Sequence, residues 1–127
     1  MEPLLSEQRK HKRFGVKDWV LGATMPRYNG LCKIIDVSSS GLAFYYVERL
    51  SAPKQVHRTT EFLMEVFEGH YPALLQVPCK LVYDIPVQEK GGETVAIRRC
   101  GVQFEGLSKT ERAQLRYFID NYVTGEI

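Results

Sequence analysis

No stretch of this chain approaches the roughly 20 consecutive apolar residues that a bilayer-spanning helix needs, so the sequence predicts no membrane insertion. Cysteine is scarce and odd in number. Cys32, Cys79 and Cys100 stand far apart, with no CxxC and no metal-ligand spacing to His11, His57 or His70, and they read as reduced, partly buried thiols. Charge of one sign is lacking too: 17 Lys and Arg against 15 Asp and Glu leave a net charge of +2. That is too little for the protein-wide field of a dedicated duplex-DNA binder, so any affinity for anions must be local. There is no G-x-S-x-G, no H-E-x-x-H, no Walker loop and no nucleophile beside a recognisable base, which argues against an enzyme. Before the first charge cluster only Leu4 and Leu5 form an apolar pair, neither a signal-peptide core nor a lipidation motif. These absences lead to the expectation of a cytoplasmic protein that holds no metal or cofactor, catalyses nothing and binds neither DNA nor RNA.

What is present is a chain of 127 residues, 44% of them hydrophobic, enough for one core and one domain. Residues 1–16 form a polar, flexible lead-in, and residues 17–127 the folded body. Almost nothing before residue 107 has a helical period, and short strand-like runs alternate with turn residues. Strands are predicted near Asp18–Ala23, Leu31–Val37, Leu42–Val47, Glu61–Glu68, Gln76–Ile85 and Thr94–Glu105. Six strands make the protein mainly β, a small barrel or sandwich. Lys90, Gly91 and Gly92 mark a hairpin turn, and Glu48–Thr60, polar and containing Pro53, reads as an exposed loop. Ser108 to Glu111 form an S-x-x-E capping box at a helix start. Leu115, Phe118, Ile119 and Tyr122 then repeat at helical spacing and should pack the helix on the β body, with Gly125 as its stop. Trp19, Phe44, Phe62, Phe67, Phe104 and Phe118 are assigned to the core rather than to base stacking.

Two motifs carry chemistry. Arg9, Lys10, His11, Lys12 and Arg13 make a basic cluster in which Arg9 and Arg13 form R-x-x-x-R. Asp36, Ser38 and Gly41 form D-x-S-x-x-G between the strands "LCKIID" and "GLAFYY". Alone, the first is a solvated charged tail and the second a serine-rich turn. Together they say more. Asp36 and Ser38 project from one face of an extended backbone. A carboxylate there accepts the parallel N–H donors of a guanine edge, and the hydroxyl serves a phosphate or a base. Gly41 lets the chain turn back with positive φ. Guanidinium groups supply bidentate contacts to phosphate and to the O6/N7 edge of guanine, and stack on purines. The two motifs describe a receptor for something that is both guanine and phosphate.

With R-x-x-x-R followed by D-x-S-x-x-G, and with "RRCGVQFEGLSKTERAQLRYFI" similar to a last strand running into a capped helix, the chain resembles the PilZ domain family over nearly its whole length. The resemblance implies a six-stranded antiparallel barrel with a C-terminal helix that binds the bacterial second messenger cyclic di-GMP. It implies that Arg9 and Arg13 clamp the bases and phosphates, that Asp36 and Ser38 meet a guanine and its phosphate, and that Gly41 shapes the turn. Lys10, His11 and Lys12 add electrostatic attraction. Family members that bind the messenger often carry a further arginine where this chain has Gln8. Charge-assisted hydrogen bonds of roughly 1.5–3 kcal/mol each, set against ordering and association costs, lead to an affinity near micromolar. Binding would order the lead-in and present a surface to a downstream protein in motility, adhesion or polysaccharide export. The rivals are a protein-interaction module of the same fold that needs no nucleotide, and a general RNA or single-strand binder using the basic lead-in, which salt would weaken steeply.

Overall fold

The computed structural model describes residues 11–25, 31–49, 61–88 and 95–127. Eight strands are seen: β1 (Phe14–Val16), β2 (Val20–Met25), β3 (Cys32–Val37), β4 (Gly41–Arg49), β5 (Glu61–Glu68), β6 (Tyr71–Gln88), β7 (Val95–Phe104) and β8 (Val123–Glu126). Among the described residues one helix, α1 (Lys109–Tyr122), precedes β8. Of barrel and sandwich, the chain forms the barrel: β2, β5, β6, β7, β4 and β3 pair in that order, and β3 returns to β2. All pairings are antiparallel. β3 closes the ring with its first residues, Cys32 and Lys33, and with its last, Asp36 and Val37, it pairs with β1.

The inward positions of the strands meet in one core around Val20, Ile34, Phe44, Met64, Val66, Leu74, Val77 and Cys100, all essentially without exposure. The helix contributes Phe118 and Leu115 to that core, with Ile119 and Tyr122 at its margin, so the expected stripe is the one that packs. Its start is the expected capping box. Ser108 Oγ accepts from the Glu111 backbone N–H at 3.1 Å, and Glu111 Oε1 accepts from the Ser108 N–H at 2.8 Å. Where β4, β6 and β7 run past the apolar core, a polar cluster fills the inside: Arg98 Nε donates to Asp84 Oδ1 at 2.8 Å and Tyr46 Oη to Asp84 Oδ2 at 2.5 Å.

The fold departs from the sequence reading at several places. Phe14–Val16, counted with the lead-in, form β1, because Val16 and Phe14 have apolar surface to bury against the core. The helix ends at Tyr122 rather than at Gly125, and the chain turns extended at Val123. β-Branched Val123 and Thr124 favour the strand that β1 offers. Gly125, with φ of 149°, lies within β8, in a conformation that suits glycine. Glu48 and Arg49 continue β4 instead of opening a loop, and residues 50–60 lie outside the described residues, as does the turn at Lys90–Gly92. β6 begins at Tyr71, straight after a turn in which Gly69 takes φ of 63°. Trp19 is not in the core. It is 53% exposed, donates from Nε1 to Glu68 Oε2 at 2.6 Å and carries Lys17 Nζ 5.6 Å from its ring centre. Phe44, Phe62, Phe104 and Phe118 are buried as expected.

Candidate functional site

Two β-bulges shape one face of the barrel. On β3, Ile34 pairs with Phe44 but Asp36 pairs with Ala43, so Ile35 is an extra residue. Strict alternation would put Asp36 inside with Cys32 and Ile34; the bulge turns Asp36 outward and Val37 inward. On β6, Leu81 pairs with Val102 but Tyr83 pairs with Gly101, which makes Val82 the extra residue and swings Tyr83 outward in the same way. Register then aligns Gly15, Asp36, Ala43, Gly101 and Tyr83 in a single row across five strands. Its middle members are the smallest side chains available, so the row is a shallow trough between a carboxylate and a phenol.

That trough belongs to an open cleft of about 420 Å³. Arg13, Asp36, Ser38 and Gly41 all line it, together with His11, Ser40, Ala43, Val82, Tyr83, Gly101 and Gln103. Four of the expected site residues are therefore brought together. Lys12 is not among them: its Nζ stands 4.0 Å from Glu126 Oε1. Arg9 and Lys10 lie outside the described residues. The segment bearing Arg13, which runs directly into β1, is tied down on its far edge, since β8 pairs with β1 and the Ile127 N–H donates to the Arg13 carbonyl at 2.9 Å.

Ser38 lies just beyond β3 and organises the turn into β4. Its Oγ accepts from the N–H groups of Ser40 at 3.1 Å and Gly41 at 3.2 Å, and its own N–H donates to the Gly41 carbonyl at 2.8 Å. With its lone pairs engaged, the hydroxyl has its proton to donate, toward the Gly41 carbonyl at 3.4 Å, and it also stands 3.1 Å from Ser40 Oγ. Ser39 Oγ stands 2.9 Å from His11 Nδ1 and links the turn to the segment before β1. Gly41 does not take a positive φ, which among the described glycines belongs to Gly69, Gly106 and Gly125. Glycine is required there for closeness: a Cβ would overlap the Val102 carbonyl oxygen on β7.

Asp36 has a side chain only 5% exposed, and Arg99 Nη2 on β7 donates to its Oδ2 at 3.2 Å. Arg99 also donates from Nε to Tyr83 Oη at 3.0 Å and lies 5.8 Å from the Tyr45 ring centre. Partial burial works against its charge, but the Tyr83 hydroxyl, Tyr45 and Asp36 more than offset this and hold the guanidinium above its usual range. Arg99 and Tyr83 escaped the sequence reading. The one available signal was the doublet Arg98–Arg99 inside an apolar strand: neighbours in a strand face opposite sides, so each needed its own carboxylate. Arg98 found Asp84 within and Arg99 found Asp36 without. Among the described residues no cluster of His, Cys, Asp or Glu could hold a metal ion, and no helix is long and apolar enough to cross a membrane.

The architecture is thus a closed six-stranded barrel with a C-terminal helix and a charged cleft at the β3–β4 turn. The PilZ domain matches residues 7–121, and the chain belongs to that family. No curated protein sequence matches it. Among solved structures it is similar to the PilZ domain of YcgR from Escherichia coli with c-di-GMP, at 18% identity and a TM-score of 0.63, covering 91% of each chain. It is also similar to the K. pneumonia MrkH–c-di-GMP complex, at 12% identity and a TM-score of 0.63, covering 89% of this chain and 51% of that one. MrkH in its apo state gives 11% identity and a TM-score of 0.60, with 87% and 47% covered. The chain thus spans about half the length of MrkH.

Proposed function

We propose that this chain is a receptor for cyclic di-GMP, which it binds without transforming. The observation that carries the reading is that Arg13, more than twenty residues before the Asp36–Gly41 turn, lines the same cleft as Asp36, Ser38 and Gly41. In this reading Arg13, with Arg9 from the segment before it, grips phosphate and the guanine O6/N7 edge. Asp36 accepts from the Watson–Crick donors of a guanine, and the Ser38 hydroxyl donates to the adjoining phosphate. Lys12, facing Glu126, contributes only long-range attraction. Arg13 lines the described part of the cleft and Arg99 stands beside Asp36, a net positive setting that favours an anionic ligand. The similar structures of YcgR and MrkH with c-di-GMP support the same ligand. The receptor would act in the cytoplasm, and the filled cleft would signal to a downstream protein rather than to nucleic acid.

The same motif residues also have a structural role, holding the turn and pairing with Arg99, which favours a second reading, a protein-interaction module that needs no nucleotide. Isothermal titration calorimetry separates the two. The expected outcome is binding near micromolar, and Arg13→Ala and Asp36→Ala should each weaken it at least about tenfold, the ~1.4 kcal/mol of one charge-assisted contact. Absence of heat and of any thermal stabilisation at saturating cyclic di-GMP would refute the receptor reading.

A further inference from the structure

We infer that Arg99, anchored by Tyr83, is a positioning residue that sets the plane of the Asp36 carboxylate and thereby the preference of the cleft for guanine. The inference rests on the receptor reading above. Asp36 is almost wholly buried, yet among the described residues it receives one donor, Arg99 Nη2, at Oδ2. A carboxylate has about four acceptor positions on its two oxygens, so one position is filled from the Arg99 side and the rest remain for the cleft that Asp36 lines. A carboxylate free to rotate about its last torsion would meet a ligand in many orientations, since such sp³–sp² torsions are broad. Arg99 removes that freedom only if it is itself fixed, and it is: Tyr83 Oη takes its Nε and the Tyr45 ring lies beneath it.

The arrangement explains why residues so distant in sequence meet. The β3 bulge turns Asp36 outward and the β6 bulge turns Tyr83 outward. Arg99, one outward position along β7 from Gly101, is left to bridge them over a floor of Ala43 and Gly101. A side chain at 101 would collide with the Tyr83 ring, so the glycine keeps the anchor in place. Guanine offers two parallel donors, its ring N1–H and its exocyclic amino group. Only a carboxylate held coplanar with the base receives both, whereas one that swings receives one at a time.

The test uses two probes, cyclic di-GMP and the analogue in which hypoxanthine replaces guanine and the amino donors are missing. Wild-type protein should prefer the guanine form by roughly tenfold, the worth of a satisfied hydrogen bond to a charged group. In Arg99→Gln that ratio should collapse toward one, beyond any general loss of affinity. Tyr83→Phe, which removes only the hydroxyl that anchors Arg99, should lower the ratio in the same direction and serves if Arg99→Gln does not fold. A purely structural Arg99 would weaken both ligands alike. An unchanged ratio in the folded variants overturns the positioning role and leaves the receptor reading standing. If wild-type protein binds neither probe, the receptor reading itself falls.

Discussion

At Gly41 a single hydrogen in place of a methyl group decides how closely two strands approach. Because the clash of a Cβ there is with backbone, the Val102 carbonyl, it cannot be relieved by rotating a side chain. Gly41→Ala should therefore lower stability by roughly 1–3 kcal/mol, the range for forcing extra atoms into a packed site, read as a shift of the urea midpoint. It should also displace the Ser38 turn, whose two N–H donors include that of Gly41. Both residues were legible in the sequence as members of D-x-S-x-x-G, but the reason for the glycine was not. A turn motif suggests a torsional demand, while the actual demand comes from a strand some sixty positions away, which no local pattern records. Lys12 shows the converse. Its charge was legible, but its direction depends on the pairing of β1 with β8, and it faces Glu126 instead of the cleft.

Among the elements, α1 was the most legible, because its cap and its stripe are written in neighbouring letters. Ser108→Ala should cost about 1 kcal/mol through loss of the acceptor for the Glu111 N–H, measured by thermal or chemical denaturation, with the cleft unaffected. Phe118→Ala, by contrast, opens a void at a fully buried position and should cost about 3–5 kcal/mol. The strands were legible as runs but not in their facing. "LCKIIDV" alternates as though Asp36 belonged inside, and only the extra residue at Ile35 reverses it. β1 and β8 were missed for a different reason: each is short, β1 is held between β3 and β8, and β8 is held by β1, rather than by any pattern of its own. The aromatic residues were assigned by type, which succeeded for Phe44 and Phe118 and failed for Trp19, whose indole N–H is satisfied by Glu68 at the surface.

For the whole molecule, the barrel's single core encloses all three thiols, none of them in a disulfide. Burial pushes Cys32 and Cys79 up to about 12 from the ordinary 9.0. The unfolded chain releases those protons near pH 9 while the folded chain keeps them, so the unfolded state binds fewer protons between the two values and stability falls as pH rises through that window. Below pH 9 the contribution is fully present. Denaturation midpoints followed from pH 7 to pH 11 should decline above pH 9, and Cys32→Ala with Cys79→Ala should flatten that decline. Iodoacetamide at pH 8 should leave the native protein unlabelled and modify three sites in denaturant, since the thiolate is the nucleophile and the folded barrel withholds it. The trough between Asp36 and Tyr83 has a consequence of another kind. On the receptor reading it would accommodate a flat ring only because positions 43 and 101 carry almost nothing, and neither belongs to R-x-x-x-R or D-x-S-x-x-G. A change such as Ala43→Leu would plug the seat while every letter of both signatures survived, so a chain can spell out the receptor and still be deaf to its messenger.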